Sequence, residues 1–163
     1  MFHVNVPVGL SLILALGAGT VWNAKLESKD GSKISGTARV ETVPAPAMTP
    51  PKDSVTPPAA APVEASPEEL RVTLNVTNAP ANASMSWGLY SGKCSDASAT
   101  STVLGSPTAY SPIKTDAAGN GTASAMVKGA QVAGGNYFVG VLGAEPGKLA
   151  ACGNLEREKT STD

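Results

Sequence analysis

Residues 70–77 read Leu-Arg-Val-Thr-Leu-Asn-Val-Thr. Leu70, Val72, Leu74 and Val76 alternate with Arg71, Thr73, Asn75 and Thr77, the two-residue period of a strand with one face in a core and the other in water. The pattern recurs on either side. Met85, Trp87 and Leu89 alternate with Ser86, Gly88 and Tyr90, and Ile34, Gly36, Ala38 and Val40 alternate with Ser35, Thr37, Arg39 and Glu41. Further strands are expected over 109–114, 121–128, 137–142 and 149–154. Turn-forming runs separate them: DAAGNG over 116–121, AGGN over 133–136 and EPGK over 145–148. Six or seven short strands so spaced predict an all-β fold, a Greek-key sandwich or barrel.

Composition agrees with that class. The chain has 163 residues, few aromatics and only 15% charged residues, which suits short strands and turns better than amphipathic helices. Its formal net charge is −1 with both signs scattered, so no basic stripe is available to neutralise phosphates and nucleic acid is not expected as a partner. Taken alone, the two cysteines, Cys94 and Cys152, read as a disulfide, as buried free thiols, or as part of a metal site that no neighbouring histidine completes.

The segments SWGLYSGKC, ending at Cys94, and LAACGNL, around Cys152, narrow that choice. With the intervening D-x-x-G-x-G run at Asp116 and NYFVGV at 136–141, their order resembles that of Cu,Zn superoxide dismutases and of secreted bacterial domains built like them. The resemblance covers roughly residues 70–155. It implies a superoxide dismutase-like barrel and a Cys94–Cys152 disulfide. Such a bond closes a loop of nearly sixty residues, stabilises by about 4 kcal/mol in the chain-entropy model, and requires an oxidising compartment, periplasmic or extracellular.

The same resemblance shows what is missing. Counting back from Cys94 through Gly92, Trp87 and Leu89 stand where two metal-binding histidines would be, and Leu142 stands near the place of a third. The chain's single histidine is His3, far from all of them. Without imidazole nitrogens a copper or zinc site of this kind has no ligands, so no metal, no cofactor and no dismutase activity are expected. No Ser-His-Asp or Cys-His arrangement can be assembled either. Asp116, Glu145 and Glu156 read as turn and surface charges. The N-x-S/T triplets at Asn75, Asn82 and Asn120 read as chance matches in a Ser- and Thr-rich chain.

At the N-terminus, residues 4–22 carry no charged side chain; as a helix of about 1.5 Å per residue they would reach roughly 28 Å, near the thickness of a bilayer's hydrocarbon core. The expectation is one membrane-spanning helix within residues 1–24, with Ser11, Ala15 and Gly19 forming a small-residue packing face and Trp22 at the membrane interface. A cleaved signal peptide, with Ala15 and Gly17 at the spacing signal peptidase prefers, is the rival reading. Lys25, Lys29 and Lys33 following the span argue for a cytoplasmic C-terminus. The cysteine pair argues for a periplasmic one and is given the greater weight.

Residues 25–43 are then a connector holding a candidate first strand. Residues 44–67, with eight prolines, form an extended linker, residues 68–157 the β domain and residues 158–163 a polar tail. The organisation looks like that of single-span accessory subunits of large bacterial energy-converting complexes. A non-catalytic structural subunit of the inner membrane is therefore expected, with the lipid bilayer and other subunits as partners, photosynthetic reaction centre and light-harvesting assemblies being the specific instance. A tethered or secreted periplasmic module that binds a small ligand or a peptide is the alternative.

Overall fold

The computed structural model describes residues 19–43, 69–97, 101–132, 135–143 and 148–159. Among these residues ten strands follow in order: β1 Val21–Ser28, β2 Ser35–Val43, β3 Glu69–Thr77, β4 Ser84–Met85, β5 Trp87–Ser91, β6 Ile113–Lys114, β7 Gly121–Lys128, β8 Tyr137–Leu142, β9 Leu149–Asn154 and β10 Glu156–Arg157. The main sheet runs β5-β8-β9-β1-β2-β3-β7, antiparallel throughout and curled into a half-barrel, with β10 also paired to β1. β4 and β6 form a separate two-stranded sheet. The all-β expectation holds.

Period-2 patterning decides what fills the curl. β3 sends Leu70, Val72, Leu74 and Val76 inward, all almost completely buried, while Arg71, Asn75 and Thr77 stay exposed. Ala24 and Leu26 of β1, Ala38 and Val40 of β2, Ala125 and Val127 of β7, Trp87 and Leu89 of β5, and Val139 and Val141 of β8 complete the same cluster. Alanine where β1, β2 and β7 face inward leaves room for the larger side chains opposite, as interior close packing demands. β8 and β9 are buried on both faces, because Phe138, Leu149 and Cys152 form a second, smaller cluster on the outer side.

The first strand departs from expectation. Val21–Ser28 is β-structure, paired with β2 from Val21↔Glu41 to Leu26↔Gly36, so the helix expected over residues 1–24 does not include residues 21–24. Trp22 pairs with Val40 on one side and Arg157 on the other and packs against the main core; it is a core-edge residue of a strand here. Gly19, expected on a helix-packing face, lies beside β2, where an added Cβ would come 2.2 Å from the Thr42 carbonyl oxygen. The Thr20 N–H donates to Thr42 Oγ1 at 2.9 Å and the Thr42 N–H to the Thr20 carbonyl at 3.0 Å, carrying the pairing past Val21. The reason lies in the sequence: Trp22, Ala24 and Leu26 alternate with Asn23, Lys25 and Glu27, and two strand faces are satisfied at once. Lys25, Lys29 and Lys33 thus belong to the folded domain. Ser11, Ala15 and the rest of the expected span lie outside the described residues, among which no helix is long and apolar enough to cross a membrane.

The strand expected over 33–43 is β2, and it sits in the middle of the sheet between β1 and β3. Val43 is paired directly with Glu69. The Pro-rich residues 44–67 lie outside the described set, but their two ends are neighbours across one hairpin. They are an insertion within the fold, and residues 25–43 are part of the β domain.

The DAAGNG run forms the β6–β7 turn. Asp116 Oδ1 accepts the N–H groups of Ala118 and Asn120, each at 2.9 Å, and these bonds hold its carboxyl below the usual carboxylate range. The turn is tied to the β3–β4 connection through Ala79 N–H to Gly119 carbonyl and Asn82 N–H to Asp116 carbonyl, both 3.0 Å. Gly119 has φ +78°, and a Cβ there would lie 2.2 Å from the Ala79 carbonyl oxygen, whereas Gly31 in the β1–β2 turn has φ +77° with nothing within 4 Å. Gly31→Ala is therefore expected to cost about 1 kcal/mol from the left-handed backbone alone, and Gly119→Ala at least about twice that, since the two turns must also separate. Urea unfolding of the two variants checks this; equal losses would contradict it.

Candidate functional site

The three positions at which the resemblance would place metal ligands lie on the neighbouring strands β5 and β8 but do not share one face. Trp87 and Leu89 lie two apart on β5 and point into the main core, with relative exposures of 4% and 0%. Leu142 ends β8 beyond a register shift and packs with the outer cluster instead. Trp87 is fixed on its far side by Nε1–H donating to the Ser111 carbonyl at 2.7 Å and by an edge contact with Tyr110 at 5.2 Å between ring centroids. The apolar side chains at 87 and 89 are structural: they fill the barrel wall beneath the 107–111 turn. Among the described residues no group of three or more His, Cys, Asp or Glu side chains is placed to hold a metal ion.

The disulfide is present. Cys94 and Cys152, 58 residues apart in sequence, are bonded with Cα atoms 5.7 Å apart. Cys152 comes from the outer face of β9 and is fully buried; Cys94 opens a short 3-10 turn, Cys94–Asp96, that follows β5. The bond fastens the turn over the outer face of β8 and β9. Around it Tyr90 stacks on Phe138 with ring centroids 5.2 Å apart, and the Cys94 N–H donates to Asn154 Oδ1 at 2.8 Å. The Gly92 N–H donates to the Asn136 carbonyl at 2.9 Å. Burial raises the Tyr90 phenol above its ordinary value. Tyr110 is pushed up to about 12, chiefly by burial, with a smaller lowering from the Leu89 backbone.

A cleft of about 940 Å³ opens at the end of the half-barrel where β1 turns into β2. Four separate segments line it: 29–34 in the β1–β2 turn, 78–86 between β3 and β5, 142–143 at the end of β8 and 148–150 at the start of β9. Ile34, Met85 and Leu149 are buried wall residues, Leu142 is half-buried, and Lys29, Asp30 and Lys33 stand at the turn. The turn is fixed to β9 by the Ser32 hydroxyl donating to the Ala150 carbonyl and by Lys29 N–H donating to the same oxygen at 2.8 Å. Nothing in the sequence signals this cleft except that Leu142 belongs to it, because its lining is assembled only when four loops meet.

Replacing both cysteines by serine is expected to lower the unfolding free energy by about 4 kcal/mol, read as a lower urea midpoint than that of the oxidised protein; an unchanged midpoint would show the outer layer needs no crosslink. The tyrosines give a pH signature. Tyr110 keeps its proton more tightly folded than unfolded, so the stability it contributes is complete below about pH 10, the unfolded value, and falls as the pH climbs toward about 12. Absorbance at 295 nm should show a phenol ionising in that upper range and missing from Tyr110→Phe. The same variant loses the bond from Tyr110 Oη–H to the Leu104 carbonyl at 2.8 Å, at a cost of about 1 kcal/mol.

No family model matches the chain, and no curated protein matches its sequence.

Proposed function

We propose that this protein is a non-catalytic accessory subunit: a superoxide dismutase-like β domain, closed by Cys94–Cys152 and held at the periplasmic face of a membrane complex by its apolar N-terminal segment. The observation that carries the reading is where the chain enters and leaves the sheet. Gly19 lies against Thr42, and Val43 pairs with Glu69, so the described residues that flank the apolar segment and the Pro-rich insertion lie together at one end of the half-barrel. An anchor and a proline-rich strip rooted side by side give the domain one pole with which to face a membrane and its neighbouring subunits.

Two further features support the scaffold and the lack of catalysis. Non-sequential neighbours, β5 beside β8 and β3 beside β7, are the crossing connections a Greek-key barrel needs. Trp87 and Leu89 commit the would-be ligand positions to apolar packing. The disulfide argues for an oxidising compartment, and the bacterial periplasm fits it. The partners are then the bilayer and other subunits of a multi-subunit complex, with a photosynthetic reaction centre assembly as the instance the sequence organisation suggests.

The cleft favours a second reading, a tethered or secreted module that binds a small ligand or a peptide. Extraction of native membranes in mild detergent followed by native-gel electrophoresis separates the two. Comigration of the chain with a large complex is the expected result, and migration as a small lone species would overturn the subunit reading.

A further inference from the structure

From the cleft at the β1–β2 turn we infer a binding site for an amphiphilic organic anion, a molecule with an apolar chain and one carboxylate-like head. The inference shares the ligand-site premise of the second reading above and is independent of the anchor. Its apolar part rests on the walls. Half-buried Ala79, Ala83 and Leu142 and exposed Pro80 supply its uncovered apolar surface, over the buried Ile34, Met85 and Leu149. A cleft with such walls gains by covering them with hydrocarbon, and its volume of about 940 Å³ falls at the upper end of the range for small-molecule sites.

Charge selects the head group. Lys29 and Lys33 flank the opening with Asp30 between them, a net positive rim on a chain whose formal charge is −1. An ammonium group in water next to an apolar wall is the arrangement that holds the head of an amphiphile while its tail lies on the wall. Ser84 and Ser86 add hydroxyl groups along the lining. A free inorganic anion would leave the walls uncovered, and a neutral or cationic amphiphile would leave the lysines without a partner.

The cleft lies at the opposite end of β1 and β2 from Gly19 and Val43, where the apolar segment and the Pro-rich insertion are rooted. Eight strand residues of β1 separate the two ends, about 26 Å at strand spacing.

Isothermal calorimetry of the full chain with laurate below its micellar concentration tests the proposal, with butyrate, inorganic phosphate and dodecyltrimethylammonium as controls. Saturable one-to-one binding of laurate alone is expected, weakened at least tenfold in the double variant Lys29→Glu, Lys33→Glu and abolished by Ser84→Trp, which fills the cleft from an exposed lining position while sparing the lysines. Circular dichroism and urea midpoints confirm that both variants fold. Absence of saturable laurate binding, comparable binding of the cationic amphiphile, or unchanged binding in either variant would overturn the proposal. Because the readout is a purified chain and a small molecule, its failure is distinct from a failure to comigrate with a membrane complex.

Discussion

One interior has to be filled from seven strands of a tightly curled sheet, and each strand contributes every second residue to it, except where the register shift opposite Val141 and Leu142 lets β9 add both Ala150 and Ala151. That parity constraint governs the molecule. A one-residue slip in any strand would exchange its apolar and polar faces, so the register from β5 round to β7 is fixed wherever Leu70, Val72, Leu74 and Val76 meet Ala38, Val40, Ala125 and Val127. The same constraint assigns Trp87 and Leu89. On β5 they have the inward parity, and their size closes the wall next to Tyr110 and Ile113. Histidine at those positions would put imidazoles into an apolar core, where each needs a buried hydrogen-bond partner, and Leu142, on the outer side, would not complete a coordination sphere with them.

The outer layer depends on the first. β8 and β9 present Phe138, Leu149 and Cys152 outward because their inward positions are already occupied by Val139, Val141 and Ala151. An apolar outer face needs a cover. The chain supplies it with the turn at Cys94–Asp96 and the ring of Tyr90, and a short turn of this kind has few contacts of its own to keep it in place. The covalent bond does so by limiting how far the cover can move in the unfolded chain. It therefore protects two strands that are also central pairing partners of β1 and β5.

Much of this was legible in the sequence, and the exceptions have physical causes. β2, β3, β7, β8 and β9 announce themselves by alternation or by short apolar runs between glycine-rich turns. β1 did not, because Val21 and Trp22 continue an apolar run and so read as the end of a helix, while the deciding residues, Ala24 and Leu26, sit among charges that look like a connector. β10 is two exposed charged residues, Glu156 and Arg157, whose place in the sheet comes only from backbone pairing with Trp22 and Asn23. The strand expected over 109–114 shrinks to Ile113–Lys114 because Pro107 and Pro112 remove ladder donors and Pro107–Ala109 turns as a 3-10 helix. The cysteine pairing was readable through resemblance to a known family. The cleft was not, since Ile34, Met85, Leu142 and Leu149 are separated by up to 115 positions and nothing local marks them as neighbours.

What the fold finally imposes is a division between two ends. Gly19, Val43 and Glu69 sit together at one, and the four cleft-lining segments meet at the other. Between them β1, β2 and β3 run as uninterrupted antiparallel pairs whose inward side chains are almost wholly buried. Bending or sliding those pairs would break ladder hydrogen bonds and core packing together. Gly19, Val43 and Glu69 are thereby held the length of β1 away from Lys29 and Lys33.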